Sequence, residues 1–460
     1  MALIYNNLLI NKNSAKYRPF LFNMISGRRR LLGDDEFRLV CSIMDKQTSL
    51  MFNNSEENLI KKLCKEKQFV TDEDRAIIEN KMMDVGHFDT QDKQADELHF
   101  SVELTQNCNM SCSYCYAQSR IGSGFMMDRE RIDAIYRFYS KYADKQCKIT
   151  DASTIRITGG EPLINRESVD LIKYIAETWP NLKLNLFTNG VNLLKFYDNL
   201  PLVSLGEVHI SLDGTKETHM ATRYADSGAD PKIYDSIISG IKKLLNDGVA
   251  VKIKSVVSKY NYKEISDLDS FLAKENISTS PGYSHEYGFV CDHSSPLDLD
   301  EGFNDKHDVF EIQKHLSKTP FVHMLSFPSS SILFRALGRP MGEPSVPKHQ
   351  RCKSNFLHNY YFSCDGNIYF CDCIREGKGT VGTYYPNIFV DSDAVTKLAN
   401  RNVMSNDKCR PCAYKFFCLG GCPLSDAGKG TEMNCGIFSD EDIMDNLEFN
   451  YQWVANNAKT

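Results

Sequence analysis

The sequence lacks any segment that predicts a membrane span or an export signal. Its first residues, MALIYNNLLINKNSAKY, contain no basic region followed by about 7–15 apolar residues. No stretch approaches the roughly 18 apolar residues of a membrane-spanning helix. Long runs of one charge are also missing and the formal net charge is only −6, so charge gives no indication of nucleic acid or of an anionic membrane surface. We therefore expect a cytoplasmic protein that binds neither.

Repeats and low-complexity segments are absent as well. The chain has 460 residues, of which 42% are hydrophobic, so it can bury large cores. At roughly 100–200 residues per domain, this length predicts two to four globular domains.

Cysteine is the residue that the sequence has in unusual number. Sixteen cysteines would suit a disulfide scaffold in a short secreted chain, but this chain is long and carries no export signal. Cys108, Cys112 and Cys115 lie close together, and nine more cysteines fall between Cys352 and Cys435, end points included. Scattered core thiols would not group in this way, so the pattern favours metal sites.

Between residues 98 and 285, apolar strands alternate with amphipathic helices. The predicted strands are LHFSVELT, STIRIT, LKLNLFT, EVHISLD, VKIKSVV and ISTSPGY. Six such units predict an α/β fold over residues 96–320, in which a parallel sheet with helices outside is either open or curled into a partial (β/α)6 TIM-like barrel. Ligands should gather at the carboxyl ends of its strands.

Two helices of this region show the apolar face clearly. One follows a predicted cap at Asp128 and repeats its apolar residues at helical spacing, as does a second helix about a hundred residues later. The apolar positions are Ile132, Ile135, Tyr136 and Tyr139 in the first, and Ile233, Ile237, Ile241, Leu244 and Leu245 in the second.

The two ends of the chain differ from the barrel region. Residues 1–90 predict a small α+β domain, with strands in YRPFLFNMI and RRRLL and helices near Asp34–Asp45 and Ser55–Lys67. The polar stretch Asp84–Asp96 is the expected linker. Residues 345–445 are rich in Cys, Gly, Pro and aromatic residues, as expected of a domain organised by metal rather than by a large core.

The first cysteine set, C-x3-C-x2-C, follows the strand FSVELT directly. A [4Fe–4S] cluster normally takes four cysteines, so three thiolates leave one iron open to a small molecule. The alternative is a zinc site or three buried thiols, but zinc requires a fourth ligand nearby.

Cys108-Asn-Met-Ser-Cys112-Ser-Tyr-Cys115 resembles the signature of the radical S-adenosylmethionine (SAM) superfamily. The resemblance implies a SAM molecule on the open iron, its one-electron cleavage to a 5′-deoxyadenosyl radical, and an electron donor such as flavodoxin or ferredoxin. It also implies that Tyr114 lies beside the adenine, although a packing role for this ring stays open.

Three further segments resemble SAM-site elements of the same superfamily. In Gly159-Gly160-Glu161-Pro162, the glycines would allow close backbone approach and Glu161 would accept from the SAM ammonium. Thr188-Asn189-Gly190 and Ser211-Leu212-Asp213-Gly214 would lie near the ribose, with Ser211 as the hydroxyl contact, or would be plain turns. Arg223 would bind the SAM carboxylate, or would be a solvated surface residue.

The second cysteine set resembles the SPASM extension, which adds two auxiliary [4Fe–4S] clusters to peptide-modifying radical SAM enzymes. Its alternative is a structural zinc domain. By resemblance, one auxiliary cluster would be incompletely ligated, with Cys364, Cys373 or a substrate sulfur as its fourth ligand. The implied ligands are Cys352, Cys371 and Cys422 for this cluster, and Cys409, Cys412, Cys418 and Cys435 for the other; Cys41, Cys64, Cys147 and Cys291 receive no role.

Asp372 is the candidate proton acceptor. It matches the position where sulfatase-maturing relatives carry a catalytic carboxylate, and it would take the proton lost in an oxidation. A solvated loop carboxylate is the alternative.

Residues ~15–80 resemble the winged-helix RiPP recognition element, which binds the leader of a precursor peptide. Such modules pair an extended peptide with an exposed strand edge. Arg28, Arg29 and Arg30 would attract an acidic leader. A capping subdomain with a solvated basic turn is the alternative.

Together these resemblances imply a maturase that forms thioether crosslinks in a ribosomally made peptide. Carbon–carbon cyclophane formation or another oxidative peptide modification uses the same parts. A sulfatase-type formylglycine maturase and a non-catalytic peptide-binding or redox carrier protein are further alternatives.

Overall fold

The computed structural model describes residues 2–3, 7–10, 19–23, 29–45, 51–66, 68–71, 73, 99–112, 114–115, 122–140, 153–223, 230, 232–258, 261–289, 315, 359–371, 379–399, 406–410 and 412. Within these residues, no helix has both the length and the apolarity that crossing a bilayer requires.

The N-terminal region contains a small antiparallel sheet and two helices. The sheet has the strand order β2-β3-β4, and a separate pair joins β1 to β5. The elements are β1 (Ala2–Leu3), β2 (Asn7–Ile10), β3 (Phe20–Asn23), β4 (Arg29–Leu31), α1 (Asp34–Asp45), α2 (Asn54–Lys65) and β5 (Val70–Thr71).

The sequence predicted both helices of this region. The bounds of α1 are as predicted, and α2 begins one residue earlier than expected because Asn53 and Glu56 form a reciprocal capping box. The sheet and helices share a core that includes Leu21, Val40 and Leu63. The assignment of residues 1–90 to a leader-binding domain stays a prediction.

The centre of the chain forms a parallel sheet covered by helices, which confirms the predicted α/β fold. Six strands lie side by side in chain order, all parallel. They are β6 (His99–Glu103), β7 (Thr154–Thr158), β8 (Lys183–Thr188), β9 (Leu205–Ser211), β10 (Ala250–Val257) and β11 (Tyr283–Phe289). The helices are α3 (Arg129–Phe138), α4 (Arg166–Thr178), α5 (Leu193–Phe196), α6 (Lys216–Thr222), α7 (Lys232–Asn246) and α8 (Ile265–Lys274).

Period-two alternation gives each strand of this sheet one face under the helices. Ile155 and Ile157 of β7, like Val208 and Ile210 of β9, belong to the main core. The residues between them point to the opposite, concave face. That face and the carboxyl ends of the strands are therefore the surfaces available for a ligand.

Two details of this region differ from the prediction. The sixth strand is Tyr283–Phe289 rather than ISTSPGY, because residues 276–282 form turns in which Asn276 and Gly282 have φ of 59° and 81°. In α3, Asp128 caps the helix and Ile132, Ile135 and Tyr139 are buried in the main core as predicted, but Tyr136 is 48% exposed.

The C-terminal region continues the same sheet. Strand β12 (Asn359–Phe362) pairs in parallel with β6, and β13 (Asn367–Tyr369), β14 (Thr380–Thr383) and β15 (Phe389–Val390) follow as antiparallel strands before α9 (Ser392–Ala399). The ring of Phe362 lies 5.8 Å from that of Phe100. This part of the C-terminal region thus shares the main apolar core, whereas the sequence favoured organisation by metal.

Candidate active site

The loop that carries Cys108, Cys112 and Cys115 begins directly after β6, at the carboxyl edge of the sheet. The main-chain N–H of Cys115 donates to the carbonyl of Cys112 at 3.1 Å, which closes a tight turn between these two ligand candidates. All three thiols are partly buried. The structure therefore brings the three residues of the first cysteine set to one place, as the spacing predicted.

Two glycines allow this loop to pack against the end of β7. A Cβ on Gly159 would lie 2.5 Å from the carbonyl oxygen of Thr105, and one on Gly160 would lie 2.3 Å from that of Asn107. The Gly160 N–H donates to Thr105 O at 2.7 Å. The close approach expected of these glycines is thus made, within the described residues, to the cysteine loop itself.

Glu161 lies beneath this contact and is 1% exposed. Its carboxylate accepts from the Thr188 hydroxyl at 2.6 Å, and from the main-chain N–H groups of Asn189 at 2.7 Å and Leu163 at 2.8 Å. Burial raises the pKa of Glu161 to about 7, although these hydrogen bonds oppose the rise. Glu161 therefore holds the Thr188–Asn189 turn in place, and its contact with the SAM ammonium stays a prediction.

Asn189 turns towards the cysteine loop. Its side-chain amide donates to Asn109 Oδ1 at 2.7 Å and lies 3.9 Å from Cys108 Sγ. The sequence had assigned this residue only to a turn near the ribose. Its contact with the sulfur could not be read from a local motif, because 81 positions separate the two residues.

Asp213 connects four parts of the site and is fully buried. Its Oδ1 accepts from the Val256 N–H at 2.9 Å, and its Oδ2 accepts from Arg223 Nε at 2.7 Å and from the hydroxyls of Tyr114 and Thr222. Burial alone would raise the pKa of Asp213, but the Arg223 guanidinium outweighs that effect and holds it below its usual range. From the sequence alone, Asp213 is predicted only as part of a turn motif and has no role of its own.

Arg223 is buried, which contradicts its alternative as a solvated surface residue. Its guanidinium lies 5.3 Å from the Tyr114 ring centre, and Nη1 is 4.0 Å from Cys112 Sγ. Because Asp213 engages only Nε, a SAM carboxylate contact through the terminal nitrogens stays a prediction.

Ser211 ends β9 on the concave face and is partly exposed. Its hydroxyl has no hydrogen-bond partner among the described residues, so it is available to a ligand such as the ribose. His219, behind the same turn, is buried and its Nδ1 accepts the Asp213 N–H at 3.3 Å. Burial lowers the pKa of His219 to about 4, so the ring is neutral near pH 7.

The chemistry of these donors fits a cluster held by three thiolates. Burial raises the pKa of Cys108 to about 12, and it raises that of Cys112 to about 11 against the opposing charge of Arg223. Each thiol must lose its proton to bind iron, and the Asn189 amide and the Arg223 guanidinium are placed to stabilise the sulfur charge that results. In the part of the chain described here, no group of three or more His, Cys, Asp and Glu side chains converges closely enough to hold a single metal ion.

Part of the second cysteine set is also described. Cys409 and Cys412 flank a turn like that of the first set, in which the Cys412 N–H donates to Cys409 O at 2.9 Å and Asn406 accepts from the Cys409 N–H. Cys371 follows β13 directly and is partly buried. The remaining predicted ligands Cys352, Cys373, Cys418, Cys422 and Cys435, and the candidate base Asp372, lie outside the described residues.

Cys364 is described and occupies the main core. It is fully buried, and its Sγ lies 3.5 Å from Oε2 of Glu103, which also accepts from the Ser363 hydroxyl at 2.5 Å. A cluster thiolate would be repelled by this carboxylate, so the placement of Cys364 does not support it as the fourth ligand. The ligand itself stays a prediction.

Of the three arginines assigned to an acidic leader, the structure describes the side chain of Arg30. It forms ion pairs with Glu36 at 2.7 Å and with Glu66 at 2.6 Å. Much of its charge is therefore neutralised within the N-terminal region. Arg28 and the side chain of Arg29 lie outside the description, and leader binding by these residues stays a prediction.

Comparison with known proteins identifies the barrel. Residues 102–272 match the radical SAM superfamily, so this part of the chain is a radical SAM domain, which implies SAM and a [4Fe–4S] cluster. Among curated relatives, a probable GTP 3′,8-cyclase of Pyrococcus abyssi is 32% identical over 178 residues, which are 38% of this chain and 53% of the relative. The chain thus spans about half the length of such relatives.

A longer match is to a cysteine-type anaerobic sulfatase-maturating enzyme of Clostridium novyi. It is 24% identical over 349 residues, which cover 69% of this chain and 85% of the relative. This match is longer than the radical SAM domain of residues 102–272.

Two solved structures share the fold. The structure of anSMEcpe with bound AdoMet and a peptide has a TM-score of 0.56 at 16% identity and covers 79% of this chain and 99% of its own. Streptococcus suis SuiB bound to its precursor peptide SuiA has a TM-score of 0.53 at 13% identity and covers 95% and 99%. Both confirm the α/β fold.

Proposed function

We propose that this chain is a radical SAM maturase that forms thioether crosslinks between cysteine sulfur and carbon in a ribosomally made precursor peptide. The observation that carries the proposal is the cysteine loop, in which three thiols lie at the carboxyl edge of the sheet and Cys112 lies beside the buried pair Asp213–Arg223. When bound, the cluster and SAM supply a 5′-deoxyadenosyl radical.

The remaining steps fall to the protein and its auxiliary clusters. Joining a C–H carbon to a thiol removes one hydrogen atom, one proton and one electron. The hydrogen atom passes to the deoxyadenosyl radical, the proton requires a base such as Asp372, and the electron requires an acceptor. We assign the acceptor role to two auxiliary clusters, one held by Cys352, Cys371 and Cys422 and the other by Cys409, Cys412, Cys418 and Cys435. With the cluster on the first cysteine set, the protein would hold three [4Fe–4S] clusters.

Peptide delivery is proposed for the N-terminal region. Among the described strands, β4 pairs only with β3, and an extended leader could add a strand at its other edge. SuiB, whose fold covers 95% of this chain, was solved with a precursor peptide. These two observations support a leader-binding role for residues 1–90.

A sulfatase-type maturase is the second candidate. The relative from Clostridium novyi favours it, because the match covers 85% of that protein. This function would convert a single cysteine of a sulfatase and would form no crosslink. The two candidates therefore predict different products from the same radical chemistry.

Anaerobic incubation of the reconstituted protein with SAM, reductant and the candidate peptide tests the proposal. A short reading frame beside the gene, rich in Cys, Asp, Glu, Ser and Thr, supplies the peptide. Tandem mass spectrometry should show loss of two hydrogens per crosslink with thiols consumed; intact thiols contradict the thioether assignment, and a neighbouring sulfatase that is converted favours the second candidate.

A cluster-deficient variant supplies the control. Cys112→Ala should form no 5′-deoxyadenosine, whereas Cys41→Ala, in helix α1 of the N-terminal region, should behave like the wild type. Absence of 5′-deoxyadenosine from the wild type would favour a non-catalytic carrier instead.

A further inference from the structure

The concave face of the sheet is polar below the SAM-site edge. Alternation along β7, β8 and β9 places Arg156, Phe187 and His209 on this face, opposite the core residues between them. His209 precedes Ser211 by two residues, so it lies about 6–7 Å below the predicted ribose contact along the strand. A residue bound at this depth would lie close to the SAM site.

Most charges on this face are already paired. Glu207 contacts Lys252 at 2.8 Å and Nε2 of His209 at 2.8 Å, and Lys254 contacts Glu286 at 2.5 Å. Two cations on this face lack a carboxylate partner among the described residues: Lys183, which donates to the Val203 carbonyl at 2.8 Å, and Arg156. The Arg156 side chain is exposed, and no carboxylate of the described residues lies within ion-pair distance of it. Its guanidinium carbon lies 5.8 Å from the centre of the Phe187 ring.

His209 supplies a second unmatched group. It is 8% exposed and its ring stacks on Phe187 with centroids 4.0 Å apart and planes at 21°. Neither of its buried ring nitrogens makes a well-aligned hydrogen bond among the described residues, although Nε2 lies 2.8 Å from the Glu207 carboxylate. This short contact favours the proton on Nε2, which leaves Nδ1 of the neutral ring as an acceptor without a donor.

A buried acceptor without a donor costs roughly as much as a lost hydrogen bond, so it indicates a partner absent from the protein itself. The guanidinium of Arg156 requires an anion, and its planar fork matches a carboxylate. The Phe187 ring contacts both side chains and gives the apolar part of a ligand a surface to lie on.

We propose that Arg156, Phe187 and His209 form a subsite for an acidic residue of the substrate peptide. Its side-chain carboxylate binds Arg156 and its main-chain N–H donates to Nδ1 of His209. This inference rests on the proposed action on peptides and adds the class of residue held beneath SAM.

The test uses two neutral-ended fragments, N-acetyl-aspartate N-methylamide and its asparagine analogue, with reconstituted, unreduced protein and SAM. Saturation-transfer NMR should detect the aspartate fragment with a millimolar Kd and the asparagine fragment at least about tenfold more weakly, since only the former carries a charge for Arg156.

Two variants separate the contacts. Arg156→Gln should abolish the preference for aspartate, whereas His209→Phe should weaken both fragments by a similar factor because it removes only the N–H contact. Arg137→Gln, an exposed arginine on helix α3, is the matched control and should retain the preference.

Equal binding of the two fragments to the wild type, a preference that survives Arg156→Gln, or no binding up to about 50 mM would each overturn the subsite. Formation of 5′-deoxyadenosine is measured on the same sample after a reductant has been added. If 5′-deoxyadenosine forms but the protein does not prefer the aspartate fragment, the subsite is wrong and the radical function stands. If the protein prefers the aspartate fragment but forms no 5′-deoxyadenosine, the subsite stands and the radical function is wrong.

Discussion

The hydroxyl of Tyr114 donates a hydrogen bond to the carboxylate of Asp213, 99 positions further along the chain. Tyr114 stands immediately before the third cysteine of the loop, and Asp213 follows the end of strand β9. The same carboxylate neutralises Arg223. One buried acid therefore fixes the cysteine loop relative to the arginine that we expect to bind SAM.

Asp213→Asn should destabilise the protein strongly, because it leaves the Arg223 guanidinium buried without its counter-charge. Breaking one partner of a buried pair costs about 3–5 kcal/mol, and Tyr114→Phe should cost about 1 kcal/mol. Urea unfolding of the two variants measures both. Asp235→Asn, whose side chain is 65% exposed, should stay within about 0.5 kcal/mol, and a similarly small change for Asp213→Asn would contradict the assignment.

Gly160→Ala should separate the cysteine loop from the end of β7. The new Cβ would lie 2.3 Å from Asn107 O, and main-chain atoms on both sides prevent a simple adjustment. We expect a lower melting temperature and a sharp loss of cluster iron, measured per chain after reconstitution. Gly288→Ala is the control, since nothing lies within 4 Å of its Cβ position; equal iron in both variants would sink this idea.

Asn189→Ala removes a donor that lies 3.9 Å from Cys108 Sγ. A hydrogen bond to a cluster thiolate stabilises the more negative, reduced cluster, so its loss should lower the reduction potential. The shift expected for a bond of roughly 0.5–1.5 kcal/mol is about 20–60 mV. Redox titration followed by EPR measures it, and an unchanged or raised potential would count against the contact.

Cys371→Ala and Cys364→Ala should differ in iron content. If Cys371 is an auxiliary ligand, its variant should lose most of one cluster, about four iron atoms per chain. Cys364→Ala should keep its iron, because the thiol lies in the apolar core beside Glu103. Loss of iron from the Cys364 variant would instead restore Cys364 as the fourth ligand.

His219 should make the protein acid-sensitive. The pKa of His219 is lowered to about 4 in the folded protein, against about 6.5 in the unfolded chain. Its contribution to the free energy of unfolding is therefore complete above pH 6.5 and is lost as the pH falls towards 4. The shift corresponds to about 3 kcal/mol. Wild type should therefore lose about that much more unfolding free energy between pH 7 and 4 than His219→Phe.

Wild type must be compared with His219→Phe because Glu161 changes the free energy of unfolding with pH in the opposite direction. Burial raises the pKa of Glu161 to about 7. The contribution of Glu161 to the free energy of unfolding is therefore complete below the pKa that it has in the unfolded chain, and it is lost as the pH rises towards 7. Denaturant unfolding of both apo proteins across this range isolates the histidine. Parallel profiles would exclude His219 as the acid-sensitive group.

Local sequence determined much of this protein. The spacing of Cys108, Cys112 and Cys115 is a property of one short loop, and the cap at Asp128 acts within one helical turn. Strand alternation likewise predicted five of the six barrel strands, because burial of one face repeats every second residue. The sixth strand was misplaced where turns with positive φ interrupt that pattern.

Tertiary structure decided the relationships between distant segments. The pairing of β12 with β6 buries Cys364, and the order of the strands brings Asn189 to Cys108 and leaves Arg156 without a counter-charge among the described residues. No periodicity encodes these contacts, because they depend on which strands become neighbours and in which register. The cysteine pattern thus determined where the chemistry is, and the assembled sheet determined which residues surround it.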